Sequence, residues 1–257
     1  MVQSGLVQPG AHVIRSQPVP GPVPALLGFI AGFVDICAFL GLFHIFVAQL
    51  TGSFVYAGAH MISGDHEWVA VLAIPAFFIA GCAAAALAFH RAPGGRALAW
   101  VMALECVLLT AMLVTMLKVS LHDILAPGVL GAALLGIAAM GVQSAMVRMF
   151  MHGVPSTNVM TTNTTQLAID ATIALIALAR GASQSEAEKG QARGARARLK
   201  LHAPPMAGFV SGTAIGAVCY EYTGAISLVA PLLLSYALLA WSIRGGCARP
   251  SPSPSVR

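Results

Sequence analysis

The chain has 257 residues, of which 58% are hydrophobic and only 9% charged. A soluble globular domain carries about 25% charged residues, so the composition excludes that class and points to a polytopic membrane protein. The formal net charge of +5 does not imply nucleic acid, because the basic residues crowd into a few connecting segments, as positive-inside topology requires.

In chain order, residues 1–23 hold no continuous apolar run and read as a flexible, Pro-rich lead, not a cleaved signal peptide. Six apolar runs follow, near 24–43, 68–89, 97–117, 126–150, 205–221 and 224–243. Each is long enough, or nearly so, to span about 30 Å of hydrocarbon. Pro127 and Pro205 fall near the starts of their runs, where a missing N–H costs little. The stretch 180–204 reads as a polar, basic cytoplasmic insertion, and 246–257 as a disordered tail. Residues 24–245 thus form one membrane domain.

Two further segments, 46–63 and 159–179, open with polar residues and become apolar afterwards. They are related. "LTGS" at 50–53 lines up with "MTTN" at 160–163, "GFVD" at 32–35 with "GVQS" at 141–144, and "FIAGCAAAAL" at 78–87 with "FVSGTAIGAV" at 209–218. The order of blocks is kept, which marks an internal duplication. Repeat one covers about 24–117 and repeat two about 126–243.

Charge separates two topologies. If both polar-headed segments dip in and return, each half has three spans and the halves are inverted. With the N-terminus inside, 13 basic residues are then cytoplasmic and only Lys118 is outside. If both segments span fully, Arg91, Arg96 and Arg148 move out and Lys118 moves in, giving 11 against 3. The positive-inside rule favours the first arrangement: six transmembrane helices plus two broken or re-entrant helices as an inverted repeat, with eight full spans as the alternative. Asp65, Glu67, Asp123 and Glu221 would then lie outside. Irregular backbone at membrane depth is tolerated where protein or water covers it, and inverted repeats with broken helices are a transporter plan. Thr161 and Asn163, and Thr51 and Ser53 in the first half, are N-cap residue types at the head of such half-helices. Their free N–H groups offer partial positive charge.

The blocks "GFVDICAFL…FVAQLTGSFVYAG" and "GVQSAMVRMFMHGVPSTNVMTTNTTQLAID" resemble the two signature blocks of the YoaK family, uncharacterised multi-pass membrane proteins of bacteria. The likeness runs over roughly residues 24 to 245. Thr51-Gly52-Ser53 stands where that family has Thr-Gly-Asn, Thr162 where it has Gly, and Ser144 where it has Asn after Gln143. The resemblance implies a bacterial inner-membrane protein and no particular substrate.

The candidate site residues are Asp35, Gln49, Thr51, Gly52, Ser53, Glu105, Gln143, Arg148, Thr161 and Asn163. Asp35 and Glu105 fall near the middle of their spans, where a carboxylate is expensive and usually faces a cavity or a partner. Either suits proton coupling; a neutral acid bonded to a neighbouring helix is the structural alternative. Arg148 either snorkels to the interface or pairs with Asp35 or holds an anion. Gln49, Gln143 and Gln166 are expected to bridge helices, and Asp170 to face a cavity or the interface. His44, His60, His90 and His152 read as interfacial. Gly208, Gly212 and Gly216 form two overlapping GxxxG steps, a close-packing signal. The five cysteines are scattered singly and predict neither a disulfide framework nor a metal site; no cofactor is expected.

The sequence contains no HExxH, no GxSxG and no cluster of His with carboxylates, so an enzyme is not expected. The leading expectation is a small secondary transporter or permease for a polar or ionic solute, with a polar site between the two half-helix tips, which approach each other near the membrane midplane, and with both termini cytoplasmic. A channel, or a membrane structural or assembly protein, is the alternative.

Overall fold

A computed structural model describes residues 21–63, 68–91, 96–118, 126–151, 154–156, 160–181 and 185–244. The expected lead up to residue 20, the tail from residue 245, Asp65, Glu67, Asp123 and His152, and the side chains of His60 and Arg91, lie outside the described residues. Among the described residues every regular element is helical: α1 Val23–Gly41, α2 Leu50–Ser63, α3 Trp68–Arg91, α4 Ala97–Lys118, α5 Pro127–Phe150, α6 Met160–Arg180, α7 Glu186–Thr223 and α8 Val229–Ile243. A 3-10 turn, Gly224–Leu228, joins the last two. Five helical stretches among the described residues are long and apolar enough to cross a membrane. The runs expected at 205–221 and 224–243 share one of these, Glu186–Ile243. Large apolar side chains such as Phe78, Phe89, Val107 and Leu233 are exposed, the surface a bilayer covers. The chain is a multi-pass membrane protein.

Lipid tails are as apolar as leucine, so helix association in a bilayer depends on close packing rather than on the hydrophobic effect. The α1–α7 pair is built on that principle. A side chain at Gly28 or Gly32 would collide with the carbonyl oxygens of Pro205 and Phe209. One at Gly208 or Gly212 would collide with those of Ala25 and Phe29. The GxxxG steps expected on α7 therefore close against a matching step on α1. The α3–α5 pair repeats the contact at the matched place: a Cβ on Gly141 would lie 2.8 Å from the carbonyl oxygen of Phe77. Gly32 and Gly141 are aligned in the duplication, and Phe209 and Phe77 differ by one position from aligned. The other packings, α2 on α3 with α6 on α7, and α4 on α5 with α8 on α1, are exchanged in the same way.

Contacts set the helix directions. Gly28 meets Pro205 and Gly41 meets Tyr220, so α1 and α7 run parallel. Met116, in the last turn of α4, also closes on Gly41; that end is termed the upper end here. The Gln143 Nε2 group donates a 2.9 Å hydrogen bond to the carbonyl of Leu27, near the start of α1, while Gly136 lies against Met112 of α4. Hence α5 descends. Ser227 is 3.4 Å from Cys37, and Tyr236 is 3.1 Å from Thr110, so α8 descends beside α4. Arg96, Arg148 and Arg244 thereby fall at the lower end and Lys118 at the upper.

One expectation is corrected. The insertion 180–204 is helical from Glu186 and continuous with the span, and Pro204 and Pro205 lie inside α7 instead of at its start. The cause is local. Ser185 and Glu188 form a capping box, and the following Ala, Arg, Lys and Leu residues are good helix formers.

Candidate functional site

The first site is built by a reversal of the chain. Beyond α1, Phe43 and His44 adopt positive φ values of 54° and 63°, a conformation that non-glycine residues enter only when the surroundings impose it. Here the His44 N–H donates to the carbonyl of Phe39 at 2.9 Å. The Phe39 ring also packs on His44 and on Phe46, each at a centroid distance of 4.8 Å. The reversal sends residues 45–49 back along α1. The N–H groups of Val47 and Ala48 each donate a 2.8 Å bond to Asp35, and Gln49 Nε2 donates another at 3.2 Å. Asp35 is six residues below Gly41, about 9 Å of helix. Val47 and Met112 both close on Gly136, and α2 begins at Leu50. At its head Thr51 is exposed, Gly52 half-buried and Ser53 buried.

The second half makes the corresponding arrangement with other groups. Ser144, aligned with Asp35, lies 3.3 Å from the Ser156 hydroxyl. Asn163, aligned with Ser53, donates a 2.8 Å bond to the carbonyl of Ser156. Asn163 thus ties the connection to α6 as a donor inside the first turn, not as the accepting N-cap expected of it. Thr164 and Thr165 donate back to the carbonyls of Met160 and Thr161, which satisfies much of this polar run. Thr161 and Thr162 are exposed.

Both reversals meet α5. Val47 touches it at Gly136 and Ser156 at Ser144; the eight residues between those positions amount to about 12 Å of helix. Glu105 and Gln143 are buried, at 2% and 0% exposure. Met112 faces Gly136 across the antiparallel α4–α5 seam, and seven residues along each helix the same register puts Glu105 level with Gln143. One carboxylate oxygen of Glu105, Oε1, has no hydrogen-bond partner among the described residues. The structure therefore groups Asp35 with Gln49, Glu105 with Gln143, and Ser144 with Ser156 and Asn163. Arg148 joins none of them. It is exposed in the last turn of α5, at the end opposite Asp35, so the alternative of an Asp35–Arg148 pair is not realised. The two polar heads also do not pack together, since α2 lies on α3 and α6 on α7.

A family model described as Protein of unknown function (DUF1275) matches residues 23–241. The chain belongs to this family. The match runs from the first residue of α1 into α8, so it covers both repeats and every candidate residue. No curated protein and no solved structure matches the chain.

Sequence reasoning missed Ser156, whose partner Ser144 was legible only as the residue aligned with Asp35. It also missed the pairing of Asp170, which is fully buried in α6 and held by Arg198 Nε at 3.0 Å and Nη2 at 2.6 Å, with Gln166 donating at 2.9 Å. Twenty-eight residues separate the ion pair, so no helical spacing announces it. Among the described residues no group of His, Cys, Asp and Glu could hold a metal ion.

Proposed function

We propose that this protein is a small secondary transporter or permease of the bacterial inner membrane, of the YoaK kind, not an enzyme. It moves a polar or ionic solute across six spans arranged as an inverted repeat. The polar-headed segments 46–63 and 159–179 are the two re-entrant helices, and both termini are cytoplasmic.

The observation that carries this reading is the pair of reversals meeting α5 about 12 Å apart along its axis, one from each end of the bundle. Backbone that turns back inside a bilayer is stable only where protein or water covers it. In transporters built from inverted repeats such arms border the site. The exchange of helix contacts between the halves supports the duplication, and the lower-end position of Arg96, Arg148 and Arg244 supports the orientation. Glu105 is the candidate coupling group. A carboxylate with a buried oxygen left without a hydrogen bond, as at Glu105 Oε1, carries a large desolvation cost at this depth, so a proton or another cation has to accompany it.

The test is flux into proteoliposomes under an imposed proton gradient, with a panel of small organic anions, cations and zwitterions. Glu105→Gln should remove the dependence on the gradient while the purified protein keeps its melting temperature. Flux in the variant equal to the parent and still gradient-driven would sink the assignment of Glu105. Unitary conductance in planar bilayers would instead favour the channel reading.

A further inference from the structure

Three acids are buried among the described residues: Asp35, Glu105 and Asp170. Asp170 is paired with Arg198 in the hairpin that α6 and α7 form. Asp35 accepts from the N–H groups of Val47 and Ala48 and from the Gln49 amide. Glu105 has neither kind of support, and its Oε1 meets no donor among the described residues. The α4–α5 seam explains the deficit. Along the same face of α4 the buried positions next to Glu105 are Met102, Leu109 and Met112, and α5 brings Met140. The polar side chain level with Glu105 is Gln143. It directs its amide nitrogen to the Leu27 carbonyl, so the other end of the amide, Oε1, is an acceptor, and that oxygen is buried as well. A carboxylate is an acceptor only and gains nothing from a second acceptor. A carboxylic acid carries one O–H donor and does.

Charge points the same way. Around α4 pack α3, α5, α8 and the 3-10 turn. His90 of α3 and Arg148 of α5 are exposed at the lower end, and Lys118 closes α4 at the upper. Tyr236 of α8 is 3.1 Å from Thr110, and the 3-10 turn carries no titratable group. Cys106, the next residue on α4, is a buried thiol. No cation among the described residues therefore compensates a negative Glu105. A hard cation such as sodium needs a shell of several oxygens, and the Met and Leu side chains of this seam supply none.

We propose that Glu105 is a proton-binding site in which the carboxylic acid donates to Gln143 Oε1, and that this proton, not sodium, is the coupling ion. Loss of the proton leaves an acceptor-only carboxylate. The Gln143 amide then serves it by turning its nitrogen from Leu27, so the proton bears on the contact between α1 and α5. The coupling role rests on the transporter reading; the acid–amide pair does not.

The experiment is infrared difference spectroscopy of the full-length protein in liposomes at neutral pH, parent against Glu105→Gln, in ordinary and heavy water. A carboxylic-acid carbonyl band is expected in the parent, shifted by deuterium and lost in the variant. Its frequency should lie below that of a carboxylic acid in dry hydrocarbon, because the acid donates to an amide oxygen, and Gln143→Met should raise it. Exchange of potassium chloride for sodium chloride should leave the band in place. No band from Glu105, a band at the hydrocarbon frequency, or loss of the band in sodium would overturn the proposal. The parent alone decides these outcomes if Gln143→Met does not fold. In the flux assay, a sodium gradient that replaces the proton gradient would overturn coupling by protons. Absence of flux for every solute would defeat the transporter reading and the coupling role with it, whereas the band by itself establishes the proton on Glu105.

Discussion

The carboxylate of Asp35 accepts a hydrogen bond from the main chain of Val47, twelve residues onward, at 2.8 Å. That bond, with its neighbour from Ala48, fixes a chain reversal beside the middle of α1. Both N–H groups belong to buried residues, and the one oxygen Oδ1 of Asp35 accepts from both.

Asp35→Ala should therefore destabilise the protein by about 1–3 kcal/mol for each N–H left buried without an acceptor. Asp35→Asn should be far milder, because its oxygen can still accept both bonds while Gln49 turns its amide. Melting temperatures in detergent make the comparison. Equal losses in the two variants would mean that the reversal does not depend on the acceptor.

Gly212→Val should abolish folding or lower stability by more than the 1–3 kcal/mol typical of overpacking. The obstacle at Gly212 is the main chain of Phe29, which cannot rotate away. Gly81→Ala on α3 meets nothing within 4 Å and should be neutral or slightly stabilising, given the lower helix propensity of glycine. A tolerated Gly212→Val would show that α1 and α7 do not approach as described.

Single cysteines in a cysteine-free background test the topology. Arg96→Cys and Ala197→Cys should resist impermeant thiol reagents in intact cells, whereas Lys118→Cys should react. Ala197 is exposed while Ala195 is buried against α6, so the former is the fair probe of the hairpin. Labelling of Arg96→Cys together with protection of Lys118→Cys would establish eight full spans.

Removal of Arg198 strands the Asp170 carboxylate. Breaking a buried pair from one side costs about 3–5 kcal/mol, but Arg198 is 47% exposed, so solvent screening lowers the expected loss. Arg198→Ala should loosen the hairpin, seen as faster tryptic cleavage after Arg193 and Arg196. The double variant Asp170→Asn/Arg198→Ala should recover part of the protection. No recovery would mean that the pair is not coupled.

Asp35 shows how far residue type carries an argument. Its depth in α1 was readable, because an apolar run of known length has a middle. Its partners were not, since nothing in "FVAQ" at 46–49 states that the chain turns back there. The reversal is imposed at Phe43 and His44, which carry no turn signature and adopt positive φ through the packing of Phe39. Glycine spacing at 208, 212 and 216 was more informative, because the absence of a side chain every four residues has one geometric use in a helix pair. The hairpin was hidden for a related reason: a polar, basic stretch reads as an insertion between spans, whereas capping and helix propensity act independently of hydropathy.

Hydropathy, glycine spacing and the aligned blocks, all legible along the chain without knowledge of spatial neighbours, carried the membrane class, the apolar runs and the reading of a duplication. Partners required the tertiary structure, because a hydrogen bond or an ion pair depends on which helices become neighbours. Packing of α1 on α7 and of α4 on α5 decided that Asp35 is bound by main chain. The same packing brought Glu105 level with Gln143 and left Arg148 exposed at the opposite end from Asp35, the partner its alternative reading had offered.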